Sequence, residues 1–127
     1  MAGEVAHNAI TGDTLYFCRW TLDGDVFLSD GSSSEEWGTD DRDADDYDVA
    51  MAENDPDGHY TGDFDSDGNI VLGIYKVAVF LQVGADPADS DVPAIAQGEI
   101  SWSGSGEITL GTLSAQGGKV LNVYDET

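Results

Sequence analysis

The sequence predicts an all-β fold: an antiparallel β-sandwich, immunoglobulin-like or jelly-roll-like, or a small barrel with a long acidic loop. Three observations predict it. The 127-residue chain holds seven or eight short segments rich in β-branched and aromatic residues. Asp- and Gly-rich turn signals separate these segments, and no segment keeps a helical period over two turns. A chain of this length suits one domain, so we expect residues 1–127 to form a single β domain.

The first elements are an arm and a hairpin. Residues 1–12 are predicted as an N-terminal arm. Leu15–Leu22 reads as the first strand and Val26–Leu28 as a short return strand. Asp23-Gly24 joins them, because glycine supplies the positive φ that a tight hairpin turn needs.

The next element is a polar insertion, Ser29–Asp46, within a chain of unusual charge. The sequence has 26 acidic and four basic residues, a formal net charge of −22, and eleven of the acids fall between Glu35 and Asp57. We expect the insertion to be a solvated loop, with a single helical turn at Ser34–Trp37. The alternative is that its acids collect cations or meet a basic partner.

The later strands follow from β-branched and aromatic content and from the turns between them. They are predicted at Tyr47–Glu53, His59–Phe64, Ile70–Leu81, Ile95–Trp102 and Glu107–Leu110, with a possible last strand at Val120–Tyr124 inside a C-terminal arm, residues 111–127.

Strand periodicity leaves an apolar row whose role has two interpretations. In the predicted strand Ile70–Leu81, one face carries Tyr75, Val77 and Val79, and the other face is also apolar. That second face either lies under another packed layer or forms a subunit interface, since solvent rarely covers such a row. The candidate interface residues, including two from the first strand, are Tyr16, Trp20, Ile74, Ala78 and Phe80.

Asp63, Asp65 and Asp67 are the weak candidate metal ligands. They match the first positions of an Asp-x-Asp-x-Asp-Gly calcium loop, in which alternating carboxylates converge on a hard cation. The match ends at the twelfth position, where a bidentate Glu is needed and Ile74 stands. The alternative is a hairpin turn whose Asp and Gly serve the backbone. We therefore expect no cofactor, with Ca²⁺ as the weak alternative.

Catalysis is not expected. The chain has two histidines, His7 and His59, one cysteine, and no Gly-x-Ser-x-Gly elbow. Cys18 reads as a small buried apolar residue. A net charge of −22 with four scattered cations disfavours direct binding to nucleic acids or to an anionic membrane. The start of the chain lacks the basic and apolar regions of a signal peptide, so we expect a soluble product.

From His59 onward the chain resembles a small β-module of tailed-bacteriophage structural proteins. The segments that carry the resemblance are Tyr60–Phe64, Gly73–Val79, Pro87–Asp91, Gly98–Trp102 and Glu107–Leu110. The resemblance implies a non-enzymatic virion protein, foremost a head decoration (cement) protein on the capsid surface. It would bind the major capsid protein and self-associate, as a trimer or another symmetric oligomer, after assembly in the host cytoplasm.

Two alternatives to head decoration stay open. One is a tail, baseplate or fibre module of the same fold. The other is a calcium- or carbohydrate-binding module, in which Asp63, Asp65 and Asp67 would hold the ion and an exposed Trp37 or Trp102 would stack on a sugar.

Overall fold

The computed structural model describes residues 3–55 and 58–108. The described part is built from short strands, one single-turn helix and two 3-10 turns, Thr39–Asp41 and Asp89–Asp91. In chain order the strands and the helix are β1 (Val5–Asn8), β2 (Leu15–Thr21), β3 (Val26–Phe27), β4 (Ser34–Glu35), α1 (Ala44–Tyr47), β5 (Val49–Ala50), β6 (Ala52–Asp55), β7 (His59–Gly62), β8 (Gly73–Leu81) and β9 (Ala96–Trp102).

The strands form two antiparallel sheets. The small sheet has the order β1-β7-β6, and the large sheet has the order β4-β3-β2-β8-β9, with β5 also paired to β2. The long central pairing joins β2 to β8, from Leu15 opposite Leu81 to Thr21 opposite Tyr75. The predicted all-β antiparallel fold is confirmed.

The strongest strand predictions match the structure closely. The predicted Leu15–Leu22 contains β2, Ile70–Leu81 contains β8, and Ile95–Trp102 contains β9. The hairpin turn at Asp23-Gly24 is also present, with Gly24 at a φ of 100° and its amide donating to the carbonyl of Thr21.

Three local predictions differ from the structure. The predicted arm contains β1, which pairs with β7 in the small sheet. Ser34 and Glu35 form β4 beside β3 and not a helical turn, because β3 offers a free edge to pair with. The predicted strand from Tyr47 is interrupted, since Tyr47 ends α1 and two separate strands, β5 and β6, follow it. The C-terminal arm and the Val120–Tyr124 strand lie outside the described residues.

The two sheets pack face to face around the main core. Alternation along β2 and β8 directs one set of side chains toward the small sheet, on what we call the inner face of the large sheet. Gly62 of β7 allows close approach, since a Cβ there would lie 2.5 Å from the ring of Phe17. The buried apolar residues of this core are Val5, Leu15, Phe17, Phe27, Met51, Tyr60, Phe64, Ile70, Tyr75, Val77, Val79, Ile100 and Trp102.

A buried arginine joins three segments at the edge of this core. Arg19 of β2 is 1% exposed. Its guanidinium donates to the carbonyls of Phe64 (2.7 Å), Leu28 (2.9 Å) and Ser29 (2.8 Å). These bonds fix the chain that leaves β3 and the chain that leaves β7 against the same strand.

Candidate functional site

The outer face of the large sheet, turned away from the small sheet, carries the predicted interface residues. Register places Tyr16 of β2 beside Phe80 of β8, Cys18 beside Ala78, and Trp20 beside Lys76. The clusters confirm that Ala78 and Phe80 lie on the face opposite Tyr75, Val77 and Val79. Ile74 belongs to neither cluster, and strand alternation along β8 places it on the same face as Ala78 and Phe80. This face is divided into a covered half and an open half.

The acidic insertion, Ser29–Asp46, folds back over the covered half. Ala44, together with Tyr47 directly after the insertion, packs against Tyr16, Cys18, Val26, Ala78 and Phe80, and Trp37 adds a partly buried ring. Tyr47 is fully buried. The insertion is therefore a packed layer with an acidic exterior, and the expectation of a solvated loop is wrong for its apolar residues.

Carboxylates at the start of α1 give the insertion its local shape. The Asp43 side chain accepts from the amide of Asp45 (3.1 Å), and the Asp46 side chain accepts from the amide of Asp43 (3.1 Å). This reciprocal capping satisfies amides that a helix start would otherwise leave unpaired. It also aims Ala44 and Tyr47, three residues apart, at the sheet.

An ion pair joins two interior positions of the insertion, Glu35 and Arg42. Arg42 donates to both carboxylate oxygens of Glu35, at 2.6 Å from Nε and 2.9 Å from an Nη. Tyr47 donates to the same carboxylate (2.8 Å) and accepts from the amide of Gly38 (3.1 Å). The hydrogen bonds from Arg42, foremost, hold the pKa of Glu35 below its ordinary value.

This covering layer corrects part of the interface prediction. Tyr16, Ala78 and Phe80 are 2%, 8% and 9% exposed, because the insertion and the loop before β9 pack on them. These three residues therefore form a second core layer and are not free to meet another subunit. Trp20 is half-buried, and Ile74 is 49% exposed.

The other half of the outer face is exposed to solvent, and we call it the open half-face. Leu22 follows β2 and is 52% exposed, and Leu72 precedes β8 and is 68% exposed. Leu22 directly follows Thr21 and Ile74 directly precedes Tyr75, so both lie at the end of the ladder where Thr21 pairs with Tyr75. Lys76 lies directly opposite Glu99 of β9. The open half-face is thus an apolar row bordered by one cross-strand pair of opposite charges.

A pocket lined by aromatic rings lies at the boundary between the two halves, and we call it the aromatic pocket. Its volume is about 310 Å³. The ring of Tyr16 stacks on Phe80 with centroids 5.4 Å apart, and Trp20 stacks on Trp37 at 6.1 Å. The lining residues are Tyr16, Trp20, Trp37, Ala44, Phe80, Ala88, Asp89 and Val92. Sequence analysis singled out Tyr16, Trp20 and Phe80 as interface residues and Trp37 as an exposed residue that could stack on a sugar. Trp37 is instead partly buried and packs against the rings of Trp20 and Tyr47.

Asp91 holds one wall of the aromatic pocket in place. This buried carboxylate accepts from the Tyr16 hydroxyl (2.8 Å) and from the amide of Ala88 (3.0 Å). Burial alone would raise the pKa of Asp91, but these hydrogen bonds outweigh it and lower that pKa. Burial, reinforced by the bond to Asp91, raises the pKa of Tyr16. The neutral phenol therefore stays a donor, and the loop before β9 stays fixed to β2.

The three candidate calcium ligands do not converge. Asp63 accepts from the amide of Gly3 (2.9 Å), and Asp65 accepts from the amides of Asn69 and Ile70 (both 2.9 Å). The bonds to Asp65 are those of a turn, as the alternative interpretation expected, whereas the bond to Asp63 comes from the chain before β1. Within residues 3–55 and 58–108, no group of three or more His, Cys, Asp or Glu side chains is arranged to hold a metal ion.

The remaining singled-out residues are placed as follows. Trp102 is buried in the main core, so it has no free face for a sugar. Cys18 is fully buried, and burial raises the pKa of its thiol to about 12, as suits the predicted apolar role. His59 contacts the side chain of Asn8 at 3.0 Å, in the small sheet.

Over the part of the chain described, no helix has the length and apolar character to cross a bilayer. Comparison of the chain with protein-family models, with curated proteins and with solved structures found no match.

Proposed function

We propose that the chain is a non-enzymatic structural protein of a tailed-phage virion, a head decoration protein that self-associates through its open half-face. The resemblance of the region from His59 onward supports the virion setting. The observation that carries the proposed contact is the exposed apolar row Leu22, Leu72 and Ile74 beside Trp20. A row of this kind on a folded domain is typical of a protein interface.

The charge distribution favours a second copy of the chain as the occupant of this face. A net charge of −22 makes copies repel one another over most of their surface. Within the strands of the open half-face, Lys76 stands opposite Glu99, so charges of both signs are present there. When two copies meet at this face, Lys76 of one copy can pair with Glu99 of the next, which offsets part of the repulsion between them.

Burial of the row supplies the energy for this contact. Removing an isoleucine or leucine side chain from water is worth about 1.5–3 kcal/mol. Three such residues and part of Trp20 would form the apolar centre of the contact, with paired polar groups at its rim. The acidic insertion would then face outward, and other surfaces of the oligomer would bind the major capsid protein.

Ile74→Glu tests the contact. We expect the wild-type protein to form a discrete oligomer in sedimentation velocity runs and to co-sediment saturably with phage heads that lack decoration protein. Ile74→Glu should weaken self-association at least about tenfold, because it replaces buried apolar surface with a charge.

Val83→Glu is the matched control, since Val83 is 81% exposed and lies beyond the far end of β8. It adds the same charge and should leave the oligomer intact. A wild-type protein that stays monomeric at every concentration and never co-sediments with heads would contradict the proposal. Oligomers that resist Ile74→Glu would place the contact elsewhere.

A further inference from the structure

We propose that the outer edge of β9 binds residues 109–113 of the same chain as a further antiparallel strand. β9 is the last strand in the order of the large sheet. Within residues 3–55 and 58–108, its outer edge is paired only near its C-terminal end. The proposal concerns the side of the sandwich between β1 and β9, and it does not depend on the virion role or on self-association.

A hairpin directed back along β9 begins where the described part of the chain ends. Trp102 forms an antiparallel bridge with Glu107. The amide of Ile108 donates to the carbonyl of Ser101 at 2.7 Å, in the same register. Each further residue of the chain would therefore meet the preceding residue of β9, which places residues 109–113 opposite residues 100–96.

The backbone of β9 offers hydrogen-bonding groups to such a strand. Along an antiparallel strand, alternate residues direct their N–H and C=O groups to the same side. Since the carbonyl of Ser101 accepts from Ile108 at the outer edge, the backbone groups of Glu99 and Gln97 point to that edge as well. Glu99 and Gln97 are both exposed. An added strand would pair these groups, as the free edge of a sheet favours.

A slot between β1 and β9, which we call the side slot, has room for side chains of the added strand. Its volume is about 190 Å³, below the range of about 300–1,000 Å³ for small-molecule sites, so it suits side chains better than a ligand. A Cβ at Gly98 would meet no atom within 4 Å. The apolar part of its lining is Val5, Ala6, Val77, Val79 and Ala96.

The proposed register directs an apolar side chain into the side slot. Residues directly opposite each other in an antiparallel pair share a face of the sheet. Leu113 would stand opposite Ala96, which lines the slot, and would cover apolar surface there. Glu4 also lines the slot, and among the described residues its buried Oε2 has no hydrogen-bond partner. The slot therefore holds an acceptor as well as an apolar wall for an added strand to meet.

Charge favours this segment over a second copy of β9 as the occupant of the edge. Antiparallel pairing of two β9 strands about the middle of their exposed stretch would set Glu99 opposite Glu99, and like charges opposite one another are destabilising. The sequence from Ile108 to Gly118 has no charged residue, in a chain with 26 acids. The short turn after Trp102 also makes the contact intramolecular, which gives the segment a high effective concentration at the edge.

The test is disulfide formation between Gly98→Cys and Gly111→Cys. The register makes these two positions a pair without mutual hydrogen bonds, with Cα atoms about 4.5 Å apart, inside the range of about 4.4–6.8 Å that a disulfide needs. The control joins Gly98→Cys to Thr112→Cys, whose side chain should point to the other face. We expect at least about tenfold more cross-linked monomer from the first pair under mild oxidation. Equal yields would overturn the register, and cross-linked dimers in place of monomers would overturn the assignment to the same chain.

Hydrogen exchange supplies a test on the wild-type protein. The amides of Gln97 and Glu99 should be protected, and Leu113→Asp should reduce their protection at least about tenfold, because it places a charge in the side slot. Thr112→Asp adds the same charge on the opposite face and should change the protection by less than about twofold. Unprotected amides in the wild-type protein, or equal losses in the two variants, would overturn the proposal. Neither measurement reports on the open half-face, so failure here leaves the oligomer test unaffected.

Discussion

Arg19→Met removes the buried guanidinium that joins β2 to the segments after β3 and β7. Methionine fills similar space with an apolar chain and cannot donate hydrogen bonds. The substitution leaves the backbone carbonyls of Phe64 and Ser29 without their donor, and the carbonyl of Leu28 keeps only the amide of Gly31. We expect the free energy of unfolding to fall by about 3–4 kcal/mol.

The magnitude follows from the burial of each acceptor. A buried polar group left unpaired costs about 1–3 kcal/mol. The bond to Phe64 is buried, so the cost of losing it should lie near the upper end of this range. The bonds to Leu28 and Ser29 are partly buried, so water can replace the donor there. Among the residues that the structure describes, the Nε of Arg19 has no hydrogen-bond partner, so removing this buried cation offsets part of the cost.

Urea unfolding followed by tryptophan fluorescence measures this loss. The midpoint should fall by about 1–3 M urea, at fixed salt concentration. Arg42→Met is the matched control, since it removes the same charge from a side chain that is 33% exposed and paired with Glu35. Its midpoint shift should be clearly smaller. Equal shifts in the two variants would refute the assignment of Arg19 as the residue that joins the three segments.

Two further predictions concern the acidic surface. Burial, and then repulsion from Asp45, raises the pKa of Asp48 in the folded state, so its ionised form costs stability at neutral pH. Asp48→Asn should therefore raise the melting temperature by about 2–4 °C at pH 7 relative to Asp86→Asn. This advantage should shrink as pH falls through the folded-state pKa, and a constant advantage would contradict it. Separately, NaCl and CaCl₂ at matched ionic strength should stabilise the protein equally, because screening acts on the whole surface. Extra stabilisation by calcium would instead indicate a bound ion, with Asp63, Asp65 and Asp67 as the first residues to substitute.

The central strands could be predicted because their signal is local. Along β8 the alternation of Tyr75, Val77 and Val79 with Ile74, Lys76 and Ala78 fixes both the strand and its two faces. β1 could not be predicted in the same way, since Val5–Asn8 has only four residues and is stabilised by pairing with β7, far along the chain.

The covering layer could not be predicted because its burial depends on contacts distant in sequence. Trp37, Ala44 and Tyr47 are three apolar residues among many acids, and local composition favours a solvated loop there. The single turn of α1 is too short to show a helical period. The choice between a packed layer and a subunit interface for Tyr16, Ala78 and Phe80 therefore depended on whether the insertion folds back, which local sequence does not encode.

The pairing of β2 with β8 also sets how this chain must fold. Leu15 meets Leu81 and Thr21 meets Tyr75, so the central ladder closes only after most of the chain has been synthesised. Folds dominated by such distant pairings have high contact order and fold slowly. Until closure, the apolar strands are exposed to other unfolded chains. Because every copy carries a strong negative charge, we expect unfolded chains to repel one another during that interval and to aggregate less than a neutral chain of the same fold.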